Sequence, residues 1–191
     1  MCHGLLTCAS FYAFLFHADQ EIADEVRESG CQLCGGALYV ANYPRKPRGG
    51  PAGLGPEHDR RLSYCCGSCR KRATPRSLRF LGRKVYLGAF VVLATAMEQG
   101  LTEVRRSRLR EDFGVSDRTL ARWLHWWREV FGRSGFWRSL AGQLATPVEE
   151  SGLPLDLLDR MGGELREGTV SLLRLVSPIT TSTSPRSSMA T

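Results

Sequence analysis

A chain of 191 residues with 42% hydrophobic and 24% charged side chains can bury one or two small cores, which excludes wholesale disorder. Its net charge of +7 is unevenly placed: Arg60 to Arg138 holds 18 Lys and Arg against six Asp and Glu, a balance of +12, and the remainder is acidic. A basic segment of this kind suits a polyanionic partner, the plainer role being a solvated surface.

The N-terminal segment, 1–30, opens with an apolar stretch at Leu5–Phe16. Leu5-Leu6-Thr7-Cys8 is faintly like a lipoprotein cleavage box, but no basic residue precedes it and the apolar run lies mostly after the cysteine, so no export signal is expected. Residues 11–28 predict an amphipathic helix, with Phe11, Phe14, Leu15, Ala18, Ile22, Glu25 and Val26 in three-four spacing and Ser29-Gly30 as its stop. Residues 31–72 carry the cysteine pairs around a loop rich in Pro (44, 47, 51, 56) and Gly, a composition that forbids a helix. Short strands are predicted on either side of the loop, at Ala37–Val40 and Arg61–Tyr64. A basic connector, Arg70 to Pro75, leads to a helix from Arg83 to Gln99 that is apolar nearly all round and therefore central. Its apolar stretch, Val85–Met97, is too short to span a bilayer, and a cytoplasmic, nucleoid-associated bacterial protein without a membrane partner is expected. Helices at Val104–Phe113 and Asp117–Phe131 complete a unit over 78–132. A helical segment follows over 133–176, with pieces at Phe136–Leu144, Leu155–Met161 and Val170–Val176, and the Ser/Thr/Pro-rich residues 177–191 are expected to be disordered. The fold class is mainly α, with a small β zinc ribbon and a three-helix helix-turn-helix core.

Seven cysteines, at 2, 8, 31, 34, 65, 66 and 69, form an odd set with two Cys-x-x-Cys pairs, which suits a metal site better than a disulfide framework. Cys31, Cys34, Cys66 and Cys69 are the expected ligands of a structural Zn2+. The two-residue spacer lets one tight turn aim both sulfurs at one ion, and two such turns complete a tetrahedron that leaves no open position for catalysis. A redox dithiol is the rival use of Cys-x-x-Cys, but two pairs without a βαβ context argue against it. Cys65 could replace Cys66 with a longer spacer; Cys66 is preferred because its spacing mirrors Cys31–Cys34. His58, alone in the Pro/Gly loop, reads as solvated more readily than as a ligand.

Downstream, Gly114 sits where a chain joining two helices takes a left-handed turn, Val115 plugs the corner and Ser116 is a good N-cap. Leu120, Trp123, Leu124, Trp127 and Phe131 form the predicted buried stripe, leaving Arg118, Arg122 and His125 on the opposite face to enter a major groove. Arg105, Arg106, Arg108 and Arg110, with Arg70, Lys71 and Arg72 of the connector, are the candidates for phosphate contacts. A plain helical bundle with solvated arginines is the alternative for this region.

The order of these parts resembles the N-terminal half of insertion-sequence transposases that carry a zinc ribbon. Tyr64-Cys65-Cys66-Gly67-Ser68-Cys69-Arg70-Lys71-Arg72 is similar to their aromatic-x-Cys-x-x-Cys-basic ribbon end, and a long helix and a turn at Gly114 follow in the same order, over about residues 31–131. The chain also resembles uncharacterised bacterial proteins that share the Tyr-Pro-Arg-Lys segment and a Cys-Cys-basic ribbon. The resemblance implies recognition of double-stranded DNA, at mobile-element ends. It also implies a ribonuclease-H-like catalytic domain, for which the residues after the helix-turn-helix are too few; Asp156, Asp159 and Glu164 read as solvated positions and not as a triad. The expected protein is therefore not an enzyme. A protein-interaction accessory of a mobile element, working beside a transposase encoded elsewhere, is the alternative.

Overall fold

The computed structural model describes residues 2–45, 47–81, 86–100, 107, 111, 114–144 and 146–181. A short helix, α1 (Cys2–Leu6), precedes the long α2 (Ala9–Ser29), which buries Phe11, Tyr12, Leu15, Ala18, Asp19 and Ala23. The inward stripe thus runs through Tyr12 and Asp19, while Phe14 is 38% exposed and Glu25 is exposed, contrary to the sequence expectation. The helix ends where expected: Gly30 takes φ +72 and donates its N–H to the Arg27 carbonyl.

Two small antiparallel sheets follow. Strands β1 (Leu38–Val40), β4 (Tyr64–Cys66) and β5 (Arg72–Ala73) form one, in the order β1-β4-β5. β2 (Tyr43–Pro44) pairs with β3 (Arg60–Arg61) in the other. The register sets Leu38 opposite Cys66 and Val40 opposite Tyr64. The strand predicted at Arg61–Tyr64 is therefore split in two. The Asn42 Oδ1 and Ala41 N–H take the Ser63 N–H and carbonyl at the step, turning the chain from one sheet into the other. The connector expected after Cys69 also contributes a strand.

The central helix α3 (Gly88–Gly100) begins later than predicted, because Tyr86 and Leu87 form bridges to Arg48 and Phe80, with residues 82–85 outside the described set. As its all-round apolarity requires, Ala89 through Ala94 are fully buried. It packs against α1, α4 (Asp117–His125), α6 (Leu155–Arg160) and α7 (Leu165–Val176); α5 (Gly135–Ala141) lies between α4 and α6 in the chain. Helix α4 continues into a π-helical stretch, Trp126–Phe131. Trp123, Trp127 and Phe131 recur every four residues, a step that drifts about 40° round an α-helix; a wider turn corrects the drift, and all three stay at or below 2% exposure. Tyr86, Phe90 and Trp137 close edge-on or tilted around them. At the C-terminal end the chain remains ordered through a 3-10 turn, Ser177–Thr180, where disorder was expected: Ser177 is buried and the Thr180 hydroxyl accepts the Ser77 N–H. Residues 182–191 lie outside the described set.

Two apolar clusters result. The large one joins α1, the first half of α2 and the helices from α3 onward. The small one comprises Ala23, Cys31, Leu38, Tyr64 and Cys66, with Val26, Leu62, Cys69 and Ala73 packed against it. Helix α2 serves both. Between the clusters lies a buried polar joint. Asp19 accepts from the Leu78 N–H (2.6 Å), the Ser77 hydroxyl and Arg79 Nε (2.9 Å), and the same guanidinium donates to the carbonyls of Glu57, His58 and Arg60. Neither Asp19 nor Arg79 is exposed, so the pair needs all of these partners to offset its desolvation.

Candidate metal centre and basic helix

Each cysteine pair closes a turn built by its own backbone. In the first, the Cys34 and Gly35 N–H groups donate to the Cys31 carbonyl, and Cys31 N–H donates to Gly36. In the second, Arg70 N–H donates to the Cys66 carbonyl, Cys66 N–H to Lys71, and Cys69 N–H to the Cys66 sulfur at 3.5 Å. Because β1 and β4 pair with Leu38 opposite Cys66, the two turns emerge side by side at one end of the sheet.

The four sulfurs then converge. Cys31 Sγ lies 3.6 Å from Cys69 Sγ, Cys34 Sγ lies 3.5 Å from Cys66 Sγ, and all four are within 4.8 Å of one another. A tetrahedral ion with sulfur ligands at about 2.3 Å needs S–S edges of about 3.8 Å, which falls within the span of these separations, so the group is compatible with such an ion. Cys31 and Cys66 are buried, Cys69 is half-buried and Cys34 is exposed. The choice between Cys65 and Cys66 is decided by the strand: neighbouring residues face opposite ways, and Cys65 Sγ points instead at the Cys66 and Arg70 carbonyls. His58 is absent from the group and is not solvated as expected; it is 5% exposed and packs on Phe16 at 5.3 Å.

Ionisation in the cage is uneven. The Cys69 N–H, above all, holds the Cys66 thiol below its ordinary range. At Cys69 the Lys71 N–H acts the same way, yet burial and the surrounding thiols of Cys34, Cys66 and Cys31 win and raise it. Four sulfurs this close cannot all be thiolates without a cation among them. A metal ion removes that conflict, and four ligands leave it no open coordination position.

The second candidate is the basic face of α4. Gly114 has φ +60, the left-handed turn the sequence required, and Val115 is buried in the corner. Ser116 caps α4 by accepting the Thr119 N–H, and Asp117 sits in the first turn, where a carboxylate suits the helix dipole. Leu120 and Trp123 are buried and Leu124 half-buried, whereas Arg118, Arg122 and His125 are exposed together on the other side. The helix predicted at Val104–Phe113 falls largely outside the described residues; of it, Ser107 and Glu111 are helical. Arg105, Arg106, Arg108 and Arg110 also lie outside. Arg70 and Lys71 are exposed beside the second cysteine turn. Arg72 is exposed but partly committed, donating from Nη1 to the Ala41 carbonyl and the Ser63 hydroxyl over the Tyr43 ring.

Asp156, Asp159 and Glu164 are all exposed around α6. Sequence reasoning missed the Asp19–Arg79 joint, although an acid one helical turn beyond Leu15 on an apolar stripe and an arginine between Leu78 and Phe80 were its visible signs. Among the described residues, no helix is long and apolar enough to cross a membrane. No family model, curated protein or solved structure matches the chain.

Proposed function

We propose that this chain is a non-enzymatic, double-stranded DNA-binding protein, akin to the DNA-recognition half of insertion-sequence transposases. In this reading α4 is the recognition helix of a helix-turn-helix, and Cys31, Cys34, Cys66 and Cys69 hold a structural Zn2+ in a zinc ribbon. The observation that carries it is the two-sidedness of α4: Leu120 and Trp123 fix one face in the core, and Arg118, Arg122 and His125 stand free of it on the other.

A recognition helix needs that division, since a rigid inner face fixes the angle at which outer side chains meet base edges. Arg118, in the first turn, is nearest the base edges, and Arg122 follows one turn later on the same side. Each guanidinium can donate two parallel hydrogen bonds to guanine O6 and N7. Arg70 and Lys71 supply charge for phosphates, which positions the protein without reading sequence. Zinc, when bound, would neutralise the four sulfurs and tie the two turns together, which fixes where Arg70 and Lys71 stand.

The test is selection of bound duplexes from a random pool with the zinc-loaded protein, followed by substitution. Arg118→Ala or Arg122→Ala should cost the selected site about 1–3 kcal/mol while non-specific binding changes little. Lys71→Ala should weaken both and lower the log–log salt slope by about 0.9. Equal losses from all three, with no sequence enriched, would defeat the recognition-helix assignment.

A further inference from the structure

The second cysteine turn borders a cleft that the duplex-reading helix does not use. It encloses about 450 Å3 and is lined by Ala37, Tyr39, Cys65, Gly67, Ser68 and Arg70 among others. Tyr39 stands opposite Cys65 in the β1–β4 register and is 64% exposed, an unusual state for an aromatic residue in the middle of a strand. One edge of its ring lies close against Gly67, where a Cβ would meet Tyr39 Cε2 at 2.7 Å. The aromatic wall is thus exposed and seated on the second cysteine turn.

Arg70 lines the same cleft and is the one non-glycine among the described residues with positive φ, at +59. Glycine would adopt that conformation without strain, whereas a residue with a Cβ does so against its preference. The turn itself therefore gives no reason for arginine. Lys71, exposed, follows it in the chain, which adds a second cation beside the turn. A flat aromatic face and a guanidinium lining one cleft are the pairing that takes one nucleotide: a base stacks on the ring and its phosphate meets the cation.

We propose that this cleft binds an unpaired nucleotide of a single-stranded segment, with the base on Tyr39 and the phosphate on Arg70. The inference shares with the reading above that the partner is a nucleic acid and that Arg70 meets a phosphate; what is new is Tyr39 and an unpaired form of that partner, so Tyr39 is the residue that separates the two. A base inside a duplex is covered on both faces by its neighbours and offers Tyr39 nothing to stack on. A duplex end, a frayed junction or an open strand would serve.

The experiment measures binding of the metal-loaded full chain to a fluorescently labelled oligothymidylate and, in parallel, to a duplex of equal length. Tyr39→Ala should weaken single-strand binding about thirtyfold, the middle of the range for one stacked base, and change duplex binding less than twofold. Tyr39→Phe, which keeps the face and loses the hydroxyl, should bind as the parent does. Arg70→Gly is the most telling variant: it relieves the left-handed backbone, so it should melt at a higher temperature, yet it should bind the single strand more weakly with a salt slope lower by about 0.7. A merely structural arginine would not give opposite signs in those two measurements.

Parent-like single-strand binding by a folded Tyr39→Ala protein would overturn the proposal. So would a loss in Tyr39→Phe equal to that in Tyr39→Ala, or a Tyr39-dependent dimer with unchanged oligonucleotide affinity. If duplex binding persists in any of those outcomes, this inference falls alone. If the parent chain binds neither form, both readings fall.

Discussion

The cysteine module and the helical body solve the same stability problem by opposite means. The body fills its interior with Trp123, Trp127, Phe131, Phe90 and the wholly buried face of α3, and packing alone accounts for its order. The module encloses little more than Ala23, Leu38, Tyr64 and two of its own cysteines, over strands of two or three residues. A sheet so small buries too little apolar surface to hold itself, and in the proposed reading a metal ion among the four sulfurs would replace the missing core. The difference teaches that loss of the metal and loss of a core side chain should be separable events within one chain.

The largest expected effect follows. Removing the metal with a chelator, or making Cys66→Ser, should unfold the module, since sulfur-ligated zinc contributes apparent free energies of about 10 kcal/mol in small modules. The near-ultraviolet signal of the tryptophans, all of which lie in the body, should largely survive. Joint collapse of sheet and tryptophan signals would erase the distinction between the two regions. Acidification should mimic chelation, because protons compete with the cation for sulfur, so metal release increases as pH falls.

Next in size is Asp19→Ala. It strands the Arg79 guanidinium without its carboxylate at the joint between the regions, and should cost about 3–5 kcal/mol in denaturant unfolding. If that loss is below about 1 kcal/mol, the joint is not what couples them. The smallest expected effect is at Tyr12, whose hydroxyl is buried without a partner and whose pKa burial raises. The folded value lies above the unfolded one, so the favourable state is complete below about pH 10 and is lost as pH rises beyond it. Tyr12→Phe should leave neutral stability level or up to about 1 kcal/mol higher, and should flatten the alkaline decline seen by thermal melting.

Local signals were legible in the sequence. The end of α2 at Gly30, the left-handed Gly114, the Ser116 cap and the stripe from Leu120 to Phe131 each depend on residues within one or two turns. The four sulfurs were legible for a different reason, since the ligand count and spacing of one ion are chemical requirements independent of fold. What was not legible is long-range and polar. Asp19 and Arg79 are 60 residues apart, and a charged side chain taken alone is read as solvated. His58 was misread by the same logic, because the Phe16 ring that covers it belongs to α2. The split of the second strand turns on the Asn42 side chain holding Ser63, which no alternation of apolar residues encodes.

The Arg79 guanidinium also has a consequence for how this molecule can be altered. By gripping the carbonyls of Glu57, His58 and Arg60, it anchors the downstream root of the Pro/Gly excursion, beside the pairing of that root with Tyr43 and Pro44. Its tip is correspondingly unencumbered: Ala52 and Gly53 are exposed, and a side chain at Gly53 would touch nothing. Extra length there adds only a slowly growing closure entropy. That tip is the natural place to splice in a reporter peptide while the sulfur cage and the arginine-bearing helix keep their positions.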